Sequence, residues 1–145
     1  MEFPITELLD YERSVAWITK YFHQDDFKCP ACGAPISQAR TFRKTRRSQL
    51  TVYRCRTCHT TYNLYTGTVF QQRHLNPMQV VLFMRGVCKG ESTKMLASEL
   101  EISYQQALAL RHEIQRNAVL EQPQVPLPDR HSETDEMFQN AGEKR

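Results

Sequence analysis

The 145-residue sequence predicts a small α+β chain. Two observations carry that reading. Two Cys-x-x-Cys pairs, 22 residues apart, lie in a stretch rich in Thr, Tyr, Phe and Arg, a composition that favours short antiparallel strands. On either side of it, apolar residues recur at helical spacing. The chain therefore divides into an N-terminal helix (1–26), a ribbon of short antiparallel strands (27–74), a helical helix-turn-helix unit (75–120) and a Pro-rich, disordered tail (121–145). Apolar residues make up 40% of the chain, enough for a packed core but not a generous one.

Each element has a local justification. Thr6 supplies an N-cap for a first helix whose buried face is Leu8, Tyr11, Val15, Ile18 and Phe22, ending near His23-Gln24-Asp25-Asp26. Within the ribbon, Gly33 and Gly67 are turn points, and Leu50-Thr51-Val52-Tyr53-Arg54 reads as a strand. Asn76 then caps a helix with Pro77 in its first position and Gln79 as the capping-box partner. That helix runs to about Cys88 and is apolar nearly all round, so it is expected to be the buried one. Cys88 reads as a small buried hydrophobe, and Gly90 ends the helix. Two more helices follow, from a Ser92 cap to about Leu100 and from a Ser103 cap to about Val119. The run Gln122-Pro123-Gln124-Val125-Pro126-Leu127-Pro128 is a linker, and the polar stretch after it holds too few apolar residues to fold alone.

The formal net charge of +3 conceals a strong asymmetry. Residues 1–26 carry six acids and two bases, and residues 91–145 carry ten acids and six bases. Between them, residues 27–90 carry eleven bases and no acid. A field of one sign over that length favours a polyanion, with nucleic acid the first expectation. The longest apolar run, Val80-Val81-Leu82-Phe83-Met84, is far short of a membrane span. Met1-Glu2-Phe3-Pro4 has none of the features of a secretory signal, so the expected setting is the cytoplasm, at the nucleoid. Five cysteines, an odd number, fit free thiols or thiolate ligands there better than a disulfide framework.

Cys29-Pro30-Ala31-Cys32 and Cys55-Arg56-Thr57-Cys58 form two knuckles, each offering two sulfurs from one tight turn. Paired on facing hairpins, they complete the tetrahedral sulfur site that Zn²⁺ prefers, and four ligands leave no open position. The zinc would be structural, and a ribbon of roughly 40 residues has too little core to fold without it. Iron would satisfy the same four thiolates, and zinc versus iron stays open at this point. A redox Cys-x-x-Cys explains only one pair, and the haem-attachment pattern Cys55-Arg56-Thr57-Cys58-His59 leaves Cys29 and Cys32 without a role. The histidines His23, His74 and His131 are singletons, read as surface or internally satisfied residues.

Residues 93–111 follow the spacing of a DNA-binding helix-turn-helix. Ala97 sits where a small residue lets two helices approach, and Leu96, Leu100, Ile102, Ala107 and Leu110 fall on the inward positions. In that docking mode the second helix enters the major groove by its N-terminal part, which here presents Tyr104, Gln105 and Gln106. Gln can pair bidentately with adenine, and Arg111 and His112 lie further along for bases or phosphates. The turn position before Ile102 requires positive φ and is usually glycine; here it is Glu101, at a cost on the order of 1 kcal/mol.

The runs Cys29-Pro30-Ala31-Cys32-Gly33, Tyr53-Arg54-Cys55-Arg56-Thr57-Cys58 and Tyr65-Thr66-Gly67-Thr68-Val69-Phe70 resemble the N-terminal zinc ribbon of bacterial insertion-sequence transposases. In that family a short helix precedes the ribbon, a helix-turn-helix follows it, and the chain continues into an RNase H-like DDE domain. There, three carboxylates hold two divalent metals. The resemblance implies recognition of the element's terminal inverted repeats in double-stranded DNA, with Arg43, Lys44, Arg46 and Arg47 on phosphates and the helix from Ser103 on bases. It also implies that Glu133-Thr134-Asp135-Glu136-Met137-Phe138 is the strand bearing the first catalytic carboxylate, Asp135. The second aspartate and the final glutamate have no positions here, so the expectation is a truncated, non-catalytic chain. It would act beside a full-length transposase or a second copy, away from any membrane. His59 after the second knuckle and Glu101 in the turn depart from the family pattern. A different class of function, a zinc-ribbon protein-interaction module such as a transcription accessory factor, uses the same metal site without DNA.

Overall fold

The computed structural model describes Met1, Phe3 and residues 9–121. Thr6, Leu8, His131 and the whole of 122–145, including Asp135, lie outside the described residues. The first helix, α1 (Tyr11–Phe22), starts where Asp10 takes an extended conformation (φ −102°, ψ 135°) and its carboxylate accepts the Arg13 N–H at 2.9 Å. The helix carrying Tyr11, Val15, Ile18 and Phe22 therefore begins at Asp10, a correction to the cap expected at Thr6. Its buried stripe also differs from the expected face. Ser14, Trp17 and Ile18 are buried, whereas Tyr11, Val15 and Phe22 are only half-buried. Trp17 enters the main core, in tilted ring contact with Phe3 and with Tyr21 one turn along the same helix, centroids 5.2 and 4.7 Å apart. The chain leaves α1 at His23, whose Nε2 donates to the Leu64 carbonyl at 2.7 Å, so this histidine is internally satisfied.

The ribbon holds a 3-10 turn (Ile36–Gln38) and three strands: β1 (Ala39–Lys44), β2 (Thr51–Cys55) and β3 (Thr61–Tyr62). They form an antiparallel sheet in the order β1-β2-β3, which leaves β1 as an edge. Ala39 pairs with Cys55 and Thr41 with Tyr53, but Arg43 pairs with Val52, so Phe42 is an extra bulged residue. The β1–β2 connection is held by its own polar groups: Thr45 N–H donates to Leu50 O, and Thr45 and Ser48 hydroxyls meet at 2.6 Å.

Three further helices follow among the described residues: α2 (Pro77–Cys88), α3 (Thr93–Glu99) and α4 (Tyr104–Leu120). The reciprocal capping box of Asn76 and Gln79 is formed, with both bonds at 2.9 Å. The amide of Gln79 does a second job, donating from Nε2 to Leu100 O at 2.8 Å and so anchoring the α3–α4 turn to the start of α2. At the other end Gly90 (φ 76°) closes α2, with Gly90 N–H on Val87 O and Glu91 N–H on Gly86 O, the paired bonds of a Schellman motif. Cys88 is exposed, contrary to the buried position expected from its apolar neighbours. It is the last helical residue, and the packed surface of α2 ends before it, at Gly86 and the half-buried Val87.

One apolar core joins the helices to the base of the ribbon. Trp17 and Ile18 from α1, Leu50, Leu64, Tyr65, Phe70 and Leu75 from the ribbon segment, and Val80, Val81, Phe83 and Met84 from α2 share it with Leu96, Leu100, Ala107 and Leu110. A separate small cluster, Cys29, Cys55 and Tyr62 flanked by Phe27 and Tyr53, forms the ribbon's far end. Among the described residues no helix is long and apolar enough to cross a membrane.

Candidate metal centre and nucleic-acid interface

The two knuckles are local copies of one turn. In each, the first cysteine's N–H donates to the carbonyl five residues on, Cys29 to Ala34 and Cys55 to Thr60, both at 2.9 Å. The residue after each second cysteine is left-handed: Gly33 at φ 72° and His59 at φ 62°. His59 thus occupies the knuckle position that glycine fills in the first copy, and histidine is among the non-glycine residues that enter this region more readily. β2 delivers Cys55, the β2–β3 loop delivers Cys58, and the segment before β1 delivers Cys29 and Cys32.

The four sulfurs converge. Cys29 Sγ lies 3.5 Å from Cys58 Sγ, Cys32 Sγ lies 3.6 Å from Cys55 Sγ, and all four are within 4.8 Å of one another. A tetrahedral ion with Zn–S near ~2.3 Å needs sulfur–sulfur edges of roughly 3.8 Å, inside that range. Among the described residues, this quartet is the group of three or more such side chains that can hold a metal ion.

The electrostatics of the four sulfurs suit a cation among them. Thr60, through its hydroxyl 3.3 Å from Cys58 Sγ and its backbone N–H, lowers the Cys58 thiol to about 6. The Cys58 and Thr57 N–H groups hold the Cys55 thiol below its ordinary value. Cys32 goes the other way: an N–H bond from Ala34 favours its thiolate, but the surrounding sulfurs and desolvation push it up to about 12. Four sulfurs this close cannot all ionise unless a cation sits between them. The Tyr62 hydroxyl is buried and has no hydrogen-bond partner. Burial, then the charges of Cys29, Cys55 and Cys32, raise its pKa. It stays protonated beside the sulfur quartet without donating to any of the four. No local motif singles out Tyr62; only the fold places it against Cys29 and Cys55.

α3 and α4 follow one another across a short turn. Ser92 and Ser103 cap the two helices, each accepting an N–H at 3.2 Å. Glu101 takes the left-handed turn at φ 54°, Ile102 N–H returns to Ala97 O at 3.0 Å, and Leu96, Ala97, Leu100, Ala107 and Leu110 are buried. Tyr104, Gln105 and Gln106 are exposed on the first turn of α4, and His112 is exposed further along. Arg111 is differently occupied. Its Nη2 donates to the Glu91 carbonyl and its Nε is buried, so the side chain ties α4 to the α2–α3 loop.

Arg43 and Lys44 lie on β1, Arg46 and Arg47 lie in the turn after it, and all four are exposed. Arg43, Arg46 and Arg47 line one cleft together with Arg73 and His74, which sequence spacing did not connect to them. Arg73 is positioned by an ion pair with Glu113 of α4 at 2.7 Å. Comparison with protein-family models, with curated proteins and with solved structures finds no match to this chain.

Proposed function

We propose that this chain is a DNA-binding unit built on a structural zinc ribbon, recognising a double-stranded site such as the terminal inverted repeats of an insertion sequence. The observation that carries the reading is the exposed, acid-free basic hairpin Arg43, Lys44, Arg46 and Arg47 on the same core as a helix-turn-helix. The hairpin would neutralise phosphates and fix register, while Tyr104, Gln105 and Gln106 would meet base edges from the start of α4. Arg111 serves this reading by orienting α4 through Glu91 rather than by reaching out. Zinc would be held by Cys29, Cys32, Cys55 and Cys58, giving the ribbon tip the cohesion that its small cluster cannot supply. A quartet of sulfurs leaves such an ion no open position, so the role is binding and not catalysis. The unit would work in the cytoplasm at the nucleoid, beside a full-length transposase or a second copy.

A salt titration of binding to a labelled duplex tests this. Four phosphate contacts predict that log K falls with log salt at a slope of about −3.6. Arg46→Ala and Arg47→Ala should each shallow the slope by roughly one contact and weaken all duplexes alike. Gln105→Ala should instead reduce discrimination between a selected site and random DNA, by about 1–3 kcal/mol for a bidentate contact. Absence of duplex binding, or a flat slope, would favour the protein-interaction module.

A further inference from the structure

Phe42 is out of place on physical grounds. It is 52% exposed, on an edge strand, at the bulge where the β1–β2 register skips. Arg40, Thr41, Arg43 and Lys44 around it are exposed as well. An aromatic ring left half in water forfeits about half of the burial that would justify it. A bulge both stops an edge from pairing with another strand and re-aims a side chain.

Beside it lies a basic cleft. Arg43, the next residue, lines a cleft of about 410 Å³ with Arg46, Arg47, Arg73 and His74, floored by the buried Leu50 and Tyr65. Glu113, which fixes Arg73, is not among the residues lining that cleft. Neighbouring cations and an exposed aromatic ring match the chemistry of a nucleotide, phosphate beside base. Single-strand binders stack bases on such rings, and architectural proteins push such rings between base steps.

We propose that Phe42 stacks on a nucleobase face whose adjacent phosphates are held in the Arg43–Arg46–Arg47–Arg73 cleft. The inference rests on the nucleic-acid reading and adds to it a contact away from α4. The base face has two sources, an unstacked step of a duplex or a single strand, and Phe42 acts on whichever presents it.

The test uses the zinc-loaded full chain and three DNA probes: a paired duplex, the same duplex with one unpaired 2-aminopurine, and a single strand. Wild-type protein should quench the 2-aminopurine fluorescence, because stacking quenches it. Phe42→Ala should abolish the quench and weaken binding by about 5- to 150-fold, the range for one base–aromatic stack. Its salt slope should be unchanged, since no phosphate contact is removed. Phe42→Trp should restore both signals. Phe42→Leu separates the sources, since it keeps paired-duplex binding if the ring acts as a wedge and loses single-strand binding if it stacks. Zinc content and melting temperature of Phe42→Ala should match wild type; loss of either would make Phe42 a structural residue and overturn the proposal. A steep salt slope with Phe42→Ala binding all three probes like wild type would overturn it while leaving the DNA reading intact. Failure of wild type to bind any probe would overturn both.

Discussion

Gly86 lies inside α2 and is buried, in a position where alanine would ordinarily stabilise a helix by about 1 kcal/mol. The packing of α3 reverses that expectation. A Cβ at residue 86 would fall well inside contact with Leu96 Cδ2 and stand 2.7 Å from Glu91 Oε2 and 3.2 Å from Leu96 Cδ1. Glu91 can swing aside, but Leu96 is 1% exposed and has nowhere to go. Overpacking of this kind costs ~1–3 kcal/mol, and the rigid neighbour puts Gly86→Ala near the top of the range. Subtracting the helix-propensity gain leaves a net loss of about 2 kcal/mol. In urea, with zinc present throughout, the unfolding midpoint should fall by about 1 M. Leu96→Ala alone should cost ~2–5 kcal/mol through its cavity. In the double variant the new methyl enters that cavity, so the combined loss should fall short of the sum by about 2–3 kcal/mol. Gly86→Ala that is neutral or stabilising, or strict additivity in the pair, would refute the idea that α2–α3 contact at this glycine sets the position of the helix-turn-helix.

Further outcomes are expected at the metal, at the Glu101 turn and at Tyr65. Purified protein should contain about one zinc per chain; Cys55→Ser should lose it and unfold the ribbon tip, while Cys88→Ser, an exposed position, should leave metal content unchanged by elemental analysis. Glu101→Gly should raise stability in thermal melts by about 0.5–1 kcal/mol, because glycine adopts the φ 54° turn without strain. Tyr65 donates its buried hydroxyl to Leu75 O at 2.9 Å, and burial raises its pKa above the ordinary value of ~10. Its share of stability is thus complete below about pH 10 and lost as pH rises above that, when the unfolded chain ionises more readily than the folded one. Tyr65→Phe should accordingly cost about 1–3 kcal/mol at neutral pH and show a shallower alkaline loss of stability in denaturant titrations.

What could be read directly from the sequence shares a property: it depends on neighbours a few residues away. Asn76, Pro77 and Gln79 specify the start of α2, Gly90 its end, and Ser92 and Ser103 the caps of α3 and α4, because orphan N–H and C=O groups at helix ends are satisfied within one turn. Each cysteine knuckle is likewise closed by bonds spanning five residues, so the quartet was legible from two matched pairs. The same locality explains the misplaced first cap. Thr6 and Asp10 are both adequate cap residues, and propensity does not choose between them, whereas the φ and ψ of Asp10 do.

Contacts between distant segments were decided by the tertiary fold alone. The composition of α2 made Cys88 read as buried, yet burial requires a partner surface, and the packed stretch of α2 ends at Gly86 and the half-buried Val87 just before it. Arg111 looked like a ligand-facing cation until the α2–α3 loop brought the Glu91 carbonyl to it. The spacing of Tyr11, Val15, Ile18 and Phe22 makes a plausible stripe on its own, yet the fold buries the large indole of Trp17 beside Ile18 in the shared core. Arg73 and His74 joined the hairpin cations only through the shared core beneath them. A sequence thus determined the elements, their ends and the sulfur quartet, since those are short-range hydrogen-bonding and spacing problems. Which faces are covered, which charges are engaged and which ring is left in water depend on free energies of burial between segments tens of residues apart, and only the folded chain fixes those.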